Sequence, residues 1–136
     1  MDTHNITAVF NKGMSFTSHI DGHKVVTDSN SEGISDGPSP KRLMLASLAG
    51  CTGIDVVSIL DKMKVIFSDF SIEVSAQLTE EHPRIYKNVQ VNYKIKIDKA
   101  DHPKMEKAVK LSEEKYCGVN AMFRAFATVD NTIVYL

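Results

Sequence analysis

The stretch LMLASLAGCTGIDVVSIL, residues 43–60, is the longest apolar run in the chain. Ser39 is a favourable N-cap residue and Pro40 suits the first helical position, so a helix is predicted from there to about Met63. The helix is apolar almost all round, which is typical of a central helix rather than a surface helix. Its single polar stripe consists of residues spaced by four or three positions: Ser47, Cys51, Asp55, Ser58 and Lys62. The cysteine is therefore expected to lie where a buried element meets polar groups.

The region before this helix has the pattern of a small sheet. Three short strands are predicted, at residues 6–10, 14–20 and 23–27. The dipeptide Asp21-Gly22 between the last two is a strong hairpin signal, so we expect a three-stranded meander. Segment 28–39, rich in Asn, Ser, Gly and Pro, is predicted to be the main loop of the chain.

The region after the helix alternates strands and helices. The predicted elements are strands at 71–79 and 86–97, a helix at 101–116, a short helix at 119–125 and a closing strand at 128–135. The first two strands alternate polar and apolar residues around a turn, as a half-buried antiparallel hairpin does. The whole order, βββ-α-ββ-α-α-β, predicts an α+β fold with a single domain over residues 1–136.

Composition excludes several functional classes. With 16 Lys and Arg against 17 Asp and Glu in 136 residues, the chain lacks the basic surface of a nucleic-acid-binding protein. It does not open on a basic segment followed by an apolar run, and polar residues interrupt the 43–60 stretch. We therefore expect a cytoplasmic protein without a membrane span. The five histidines are scattered without metal-ligand spacing, so neither a metal site nor a cofactor is predicted.

The two cysteines, Cys51 and Cys117, are far apart in sequence. In a reducing compartment such a pair is more consistent with transient redox chemistry than with a permanent disulfide. Cys117 stands at the predicted start of the third helix, where amide groups and the helix dipole favour an anion. We expect it to be an effective thiol in disulfide exchange. The alternative is that both cysteines are small apolar core residues.

A reactive Cys51 needs a positive charge from elsewhere in the chain. The reactive form of a thiol is the thiolate, and an ordinary thiol has a pKa of about 8.5, so a nearby cation or helix N-terminus must favour ionisation. Cys51 lies well inside its helix, and the carboxylate of Asp55, one turn further on, acts in the opposite direction. The basic candidates are Lys12, Arg42, Arg84 and Arg124, among which the sequence does not choose.

Two segments resemble the OsmC/Ohr superfamily, the osmotically inducible and organic hydroperoxide resistance proteins, in its OsmC-like branch. The segment from Gly37 through Cys51 to Leu60 is similar to the central helix of that family. The segment SEEKYCGV, residues 112–119, is similar to its second cysteine motif. The order and separation of the two segments also agree. The resemblance implies an intertwined homodimer with two equivalent active sites at the subunit boundary.

The same resemblance implies a two-cysteine peroxidase. Cys51 would be the peroxidatic thiol, which attacks an organic peroxide or hydrogen peroxide and becomes a sulfenic acid. Cys117 would be the resolving thiol, which condenses with that sulfenic acid to a disulfide. A dithiol reductant, lipoyl-type in some members of the family, would then restore both thiols.

The sequence departs from the better-studied peroxidases of the family at the pair that activates the thiol. Those enzymes use an arginine from the N-terminal hairpin and a glutamate near the start of the central helix. Here Lys12 lies in the hairpin, and Lys41 and Arg42 occupy the helix start. A lysine keeps the charge but lacks the planar guanidinium that holds a partner in a fixed orientation.

Two hypotheses follow. In the first, the protein is a thiol-dependent hydroperoxide reductase in which Lys12, Arg42 or Arg84 activates the thiolate or positions the peroxide. In the second, it is a non-catalytic OsmC-like dimer that binds a small ligand or senses redox state, and its thiols take no part in peroxide turnover.

Overall fold

The computed structural model describes residues 1–30 and 32–136, which form two compact units, residues 1–44 and 45–136. The element order is βββ-α-ββ-α-α-β, which confirms the predicted α+β fold. The boundary between the units falls within the long helix α1, Pro40–Lys62. One domain over residues 1–136 stays a prediction.

The first unit contains the predicted meander. Its strands are β1 (Thr7–Lys12), β2 (Ser15–Ile20) and β3 (His23–Thr27), paired antiparallel in that order. Asp21 and Gly22 form the second turn with φ values of 48° and 80°, the left-handed pair that a tight two-residue hairpin requires. Several large apolar side chains of this sheet remain exposed: Val9, Phe10, Phe16 and Ile20.

The second unit is built on a three-stranded sheet with the order β4-β5-β6. Its strands are β4 (Phe67–Leu78), β5 (Tyr86–Ile97) and β6 (Thr128–Tyr135). β4 and β5 form the predicted antiparallel hairpin, whereas β6 runs parallel to β5. A parallel pair needs a long crossover connection, and the helices between β5 and β6 supply it. The core combines buried side chains of α1, β5 and these helices: Leu48, Val56, Leu60, Val91, Tyr93, Ile95, Met105, Ala108 and Phe123.

Helix α1 is buried along one stripe only. Leu48, Thr52, Val56 and Leu60 recur every fourth residue and are fully buried. On other faces large apolar side chains are exposed, with Ile54 72% and Val57 41% accessible. The expectation that the apolar pattern makes this helix central on every side is therefore wrong for the single chain. By length and composition α1 could also cross a membrane, a property that core helices of soluble proteins share.

The predicted helix 101–116 is not one regular helix. A short 3-10 turn, Lys99–Asp101, leads into α2 (His102–Leu111), and a π-helical turn, Ser112–Tyr116, follows. The π turn ends where the backbone N–H of Cys117 donates to the carbonyl of Ser112 at 2.7 Å. Helix α3 (Gly118–Arg124) then begins, one residue earlier than the predicted short helix. A π turn adds one residue to the helical loop, so it changes the direction in which the following residues point.

Candidate thiol site

The two cysteines meet within the second unit. Cys51 lies on α1 and is half-buried, whereas Cys117 caps the N-terminus of α3 and is 3% exposed. Both are free thiols, and a hydrogen bond joins their side chains. Residues that are distant in sequence therefore form one two-thiol site.

Local backbone geometry fixes the position of Cys117. The π turn delivers it to the start of α3 with extended backbone, φ −81° and ψ 100°, as expected of an N-cap residue. Its sulfur accepts a hydrogen bond from the backbone N–H of Asn120 at 3.3 Å, and its carbonyl accepts one from Ala121 at 3.1 Å. The sulfur thus takes the place of the oxygen that usually caps a helix.

Burial opposes ionisation of Cys117. The pKa of the Cys117 thiol is raised to about 12, mainly by loss of solvent and, to a smaller extent, by the hydrogen bond to Cys51. The backbone N–H of Asn120 acts in the opposite direction. The negative charge of Asp55 adds to the increase. The expectation that the helix N-terminus makes Cys117 a readily ionised thiol is therefore wrong, because desolvation outweighs one amide contact. Cys117 remains protonated and donates its hydrogen to Cys51.

A chain of buried hydroxyl groups lies beside the thiols. Thr52 Oγ1 is 2.7 Å from the hydroxyl of Tyr93 and 2.8 Å from Ser112 Oγ. Ser112 Oγ in turn donates to Asp55 Oδ2 at 2.9 Å. Tyr93, Thr52 and Ser112 are fully buried, and burial raises the pKa of the Tyr93 phenol to about 12. The chain links α1 to β5 and to the π turn.

The direction of these hydrogen bonds follows from counting hydrogens. Each hydroxyl has one hydrogen to donate. Since Ser112 donates to the Asp55 carboxylate, it must accept from Thr52, and Thr52 must then accept from the Tyr93 phenol. Every donor in the chain points towards Asp55.

A second polar cluster surrounds Glu113 of the π turn. Arg124 Nη2 lies 3.5 Å from Glu113 Oε2, and Arg124 Nε donates to Asn120 Oδ1 at 2.7 Å. The amide of Asn131 donates to Glu113 Oε1. Desolvation raises the pKa of Glu113, and the charge of Arg124 partly offsets that increase. Arg124 thus braces the residue whose backbone N–H contacts the Cys117 sulfur.

The other predicted cations have different local partners. Arg84, in the turn between β4 and β5, donates from Nε to the carbonyl of Thr79 at 2.9 Å. Lys12 is the last residue of β1. The backbone N–H of Asp36 is the main cause of the lowered pKa of Asp28, and the charge of Lys12 contributes to it.

Arg42 belongs to the first turn of α1, where its Nη1 lies 3.4 Å from Ser39 Oγ. Both Lys12 and Arg42 lie in the first unit. Their roles and that of Arg84 at Cys51 stay predictions.

An open apolar groove lies along α1 within the second unit. It has a volume of about 860 Å³. Its walls include α1 residues and apolar side chains from the start of β4: Gly50, Gly53, Ile54, Val57, Phe67 and Phe70. A Cβ on Gly53 would lie 3.0 Å from Ile72 Cδ1, so the missing side chain at this position allows β4 to approach the helix. In the described residues no group of three His, Cys, Asp or Glu side chains is arranged as metal ligands.

Sequence reasoning identified Cys51 and Cys117 but missed the hydroxyl chain beside them. Thr52 and Ser112 entered the sequence analysis only as members of the two segments that resemble the family. One signal was present: Thr52 falls on the same four-residue repeat as Leu48, Val56 and Leu60, so a helical wheel places a hydroxyl group on the buried stripe.

The fold and the site together define a class, α+β proteins with two thiols that meet at the N-terminus of a short helix. Residues 32–131 match the family model described as OsmC-like protein, and the chain belongs to this family. Protein YhfA of Escherichia coli K12 is 30% identical over 122 residues, 89% of this chain and 90% of that protein.

Solved structures have the same fold. A hypothetical protein from Aquifex aeolicus superposes with a TM-score of 0.84 at 26% identity, over 100% of this chain and 99% of that chain. An organic hydroperoxide resistance protein from Elizabethkingia anophelis superposes with a TM-score of 0.69 at 13% identity, over 100% of this chain and 98% of that chain. The structural neighbours of this OsmC-like protein therefore include hydroperoxide resistance proteins.

Proposed function

We propose that this protein is a thiol-dependent hydroperoxide reductase of the two-cysteine type. The observation that carries the proposal is the hydrogen bond between the side chains of Cys51 and Cys117. Two thiols in contact are already placed to form a disulfide after one of them is oxidised, since the bond needs only a small further approach of the sulfur atoms. Membership of the OsmC-like family and structural neighbours named for hydroperoxide resistance support the same activity.

The exposures of the two cysteine residues divide the roles. Cys51 is half-buried, whereas Cys117 is 3% exposed, so a peroxide reaches Cys51 first. The Cys51 thiolate attacks the O–O bond of the peroxide, becomes a sulfenic acid and releases an alkoxide, which takes a proton and leaves as the alcohol. Cys117 then attacks the Cys51 sulfur, the S–O bond breaks, and water carries away the hydroxyl group together with the proton of Cys117.

Turnover requires an external dithiol. Its two thiols exchange with the Cys51–Cys117 disulfide through a mixed disulfide, which returns both cysteines to thiols and leaves the reductant as a disulfide. We propose a lipoyl-type dithiol in this role and a cytoplasmic location. A reducing compartment keeps such a cysteine pair available for transient redox chemistry.

We also propose that the protein is a homodimer. The exposed side chains of Ile54 and Val57 on α1 and the adjoining groove form a continuous apolar surface. A monomer rarely exposes a large apolar patch of this kind, and a second copy of α1 would cover it. Light scattering coupled to size-exclusion chromatography should give twice the chain mass of 15.1 kDa, and a monomer at micromolar concentration would contradict the proposal.

Single-turnover kinetics test the peroxidase function. Reduced wild-type protein and Cys51→Ser are mixed with cumene hydroperoxide, and peroxide loss is followed by stopped flow. We expect the rate of peroxide loss in the variant to fall by a factor of roughly a hundred or more, because the nucleophile is gone. Cys117→Ser is the matched control, since it removes one thiol and should retain the first turnover. Equal slow rates in wild type and Cys51→Ser would reject the proposal.

The apolar groove supports a second candidate function, binding of a small hydrophobic ligand without peroxide turnover. Its volume, about 860 Å³, falls within the usual range for ligand sites. Titration of a fluorescent apolar probe distinguishes the two functions. Tight binding that Cys51→Ser leaves unchanged, in a protein that consumes no peroxide, would favour the ligand-binding function.

A further inference from the structure

Disulfide formation requires Cys117 to lose its thiol proton. The thiol is 3% exposed and donates its hydrogen to Cys51, so water has little access to the proton that must leave as the sulfur attacks. Rapid loss of a proton from a buried thiol needs an acceptor within hydrogen-bond reach, directly or through one water molecule. The acceptor must lie near both cysteines.

Asp55 is the carboxylate that lies beside both cysteines, and its negative charge acts on the Cys117 thiol. It lies four residues after Cys51 on α1, so their side chains share one face of the helix about 6 Å apart. Its Oδ2 accepts the hydrogen of Ser112, and the carbonyl of Ser112 accepts the N–H of Cys117 at 2.7 Å. One residue, Ser112, therefore contacts both the carboxylate and the resolving cysteine.

Among the titratable groups near the thiols, Asp55 is the one that can accept the proton of Cys117. Cys51 and Asp55 from α1 act on the Cys117 thiol, and Cys117, Asp55 and Glu113 from the π turn all act on Tyr93 of β5. Glu113 is already engaged by Arg124 and Asn131, and Tyr93 keeps its proton and donates it to Thr52. Asp55 is half-buried, so a proton that it accepts can pass on to solvent.

We propose that Asp55 accepts the thiol proton of Cys117 as the Cys51–Cys117 disulfide forms, and that Ser112 holds the carboxylate in position. With a Cys51 sulfenic acid, the new S–S bond replaces the S–O bond, and Asp55 passes the proton to the departing hydroxide to give water. The polarised chain from Tyr93 through Thr52 to Ser112 orients the carboxylate. This inference rests on the two-thiol function proposed above.

A disulfide-exchange assay isolates this step from peroxide chemistry. Reduced protein is treated with dithiobis(nitrobenzoate), which labels the more exposed Cys51 and releases one thionitrobenzoate. Cys117 then attacks the mixed disulfide: its S–S bond breaks, the Cys51–Cys117 bond forms, and a second thionitrobenzoate leaves as the anion while Asp55 takes the proton. The rate of this second release, read by visible absorbance, is the measured quantity, and Cys117→Ser should abolish it.

Asp55→Asn removes the proton acceptor and keeps an oxygen for the Ser112 hydroxyl. We expect the second release to slow at least about tenfold near neutral pH, since general bases typically contribute more than that. Asp98→Asn is the matched control: it removes one carboxylate from an exposed position at the end of β5, and its release rate should equal that of wild type. A rate in Asp55→Asn that is unchanged or faster would overturn the proposal, because removal of a charge that merely opposes ionisation accelerates the attack.

The pH profile separates a proton acceptor from a structural role. Without Asp55 the reaction should follow the thiolate of Cys117 and rise about tenfold per pH unit, because the pKa of this thiol, about 12, lies well above the assay range. Wild type should have a shallower profile, and parallel profiles would overturn the proposal.

Ser112→Ala provides a second variant that keeps the carboxylate but removes its anchor. It should slow the release by a smaller factor, and an unchanged rate would also count against the proposal.

The assay distinguishes the two proposals. If wild type consumes no peroxide but its second release depends on Asp55, the peroxidase function fails and the role of Asp55 stands. If peroxide is consumed normally and the release rates are equal in wild type and Asp55→Asn, only the role of Asp55 fails.

Discussion

Cys51 and Cys117 touch each other, but the chain holds them in different ways. Cys51 is an ordinary residue of a regular helix, half-buried and four residues before Asp55. Cys117 is buried, follows a π-helical turn and replaces the capping oxygen of α3. The backbone N–H of Asn120 contacts its sulfur, and burial raises its pKa to about 12.

This difference indicates how one site can hold two thiols with separate tasks. A thiol that meets an oxidant must be accessible, whereas a thiol that only resolves the product is protected from the oxidant by burial and protonation. The cost of that protection is a slow proton transfer, which Asp55 and its hydroxyl chain would relieve. The predictions below test this contrast, beginning with the largest expected effect.

Loss of Cys117 should stop turnover but not the first reaction. In Cys117→Ser we expect peroxide consumption with a dithiol reductant to fall roughly a hundredfold or more after the first turnover, because the sulfenic acid on Cys51 has no internal partner. Mass spectrometry should then find Cys51 as sulfinic or sulfonic acid. Sustained turnover in this variant would mean that an external thiol resolves Cys51 directly and that Cys117 has no redox role.

Loss of the Thr52 hydroxyl should destabilise the protein. Thr52→Val keeps the shape of the side chain but leaves the buried Tyr93 phenol without its acceptor and Ser112 Oγ without its donor. Leaving a buried group unsatisfied typically costs about 1–3 kcal/mol, so with two such groups the free energy of unfolding in urea should fall by about 2–6 kcal/mol. Thr128→Val, at an exposed position of β6, is the matched control and should change little. Equal stabilities would mean that water or another group satisfies both hydroxyls.

Alkaline pH should reveal the burial of Cys117. The pKa of this thiol rises from its ordinary value of about 8.5 to about 12 in the folded protein, so between these values the unfolded chain has lost a proton that the folded chain keeps. The stability that this group contributes is present below the unfolded pKa and is lost as pH rises towards the folded pKa. Urea unfolding near pH 7 and pH 10 should therefore show a steeper loss in wild type than in Cys117→Ser. Parallel losses would place Cys117 in contact with solvent.

The sequence was sufficient to predict the element order because the signals are local. Alternation in β4 and β5, the Asp21-Gly22 turn and the Ser39-Pro40 helix start each lie within a few residues. The π turn was missed because nothing in residues 112–116 differs from a regular helix until the chain has to present Cys117 to α1. The burial of α1 was overestimated because an apolar pattern does not show how much of a helix the rest of the chain covers.

The site was predicted only as far as its two thiols. The cysteines stand out by rarity and by resemblance to a family, whereas the pKa of Cys117 depends on a balance between burial and one amide that no local pattern gives. The contact between Thr52 and Ser112 joins elements whose packing sequence periodicity does not specify. Asp55 was identified as an opposing charge, but its hydrogen bond to Ser112 became visible only in the fold.

The most direct test of the two-thiol function is the product of one oxidation. Reduced wild-type protein is treated with one equivalent of cumene hydroperoxide, digested without reductant and analysed by mass spectrometry. We expect a disulfide between the Cys51 and Cys117 peptides of the same chain, formed in step with peroxide loss. A sulfinic acid on Cys51 beside an intact Cys117 thiol, or two thiols that remain unreacted, would contradict the account.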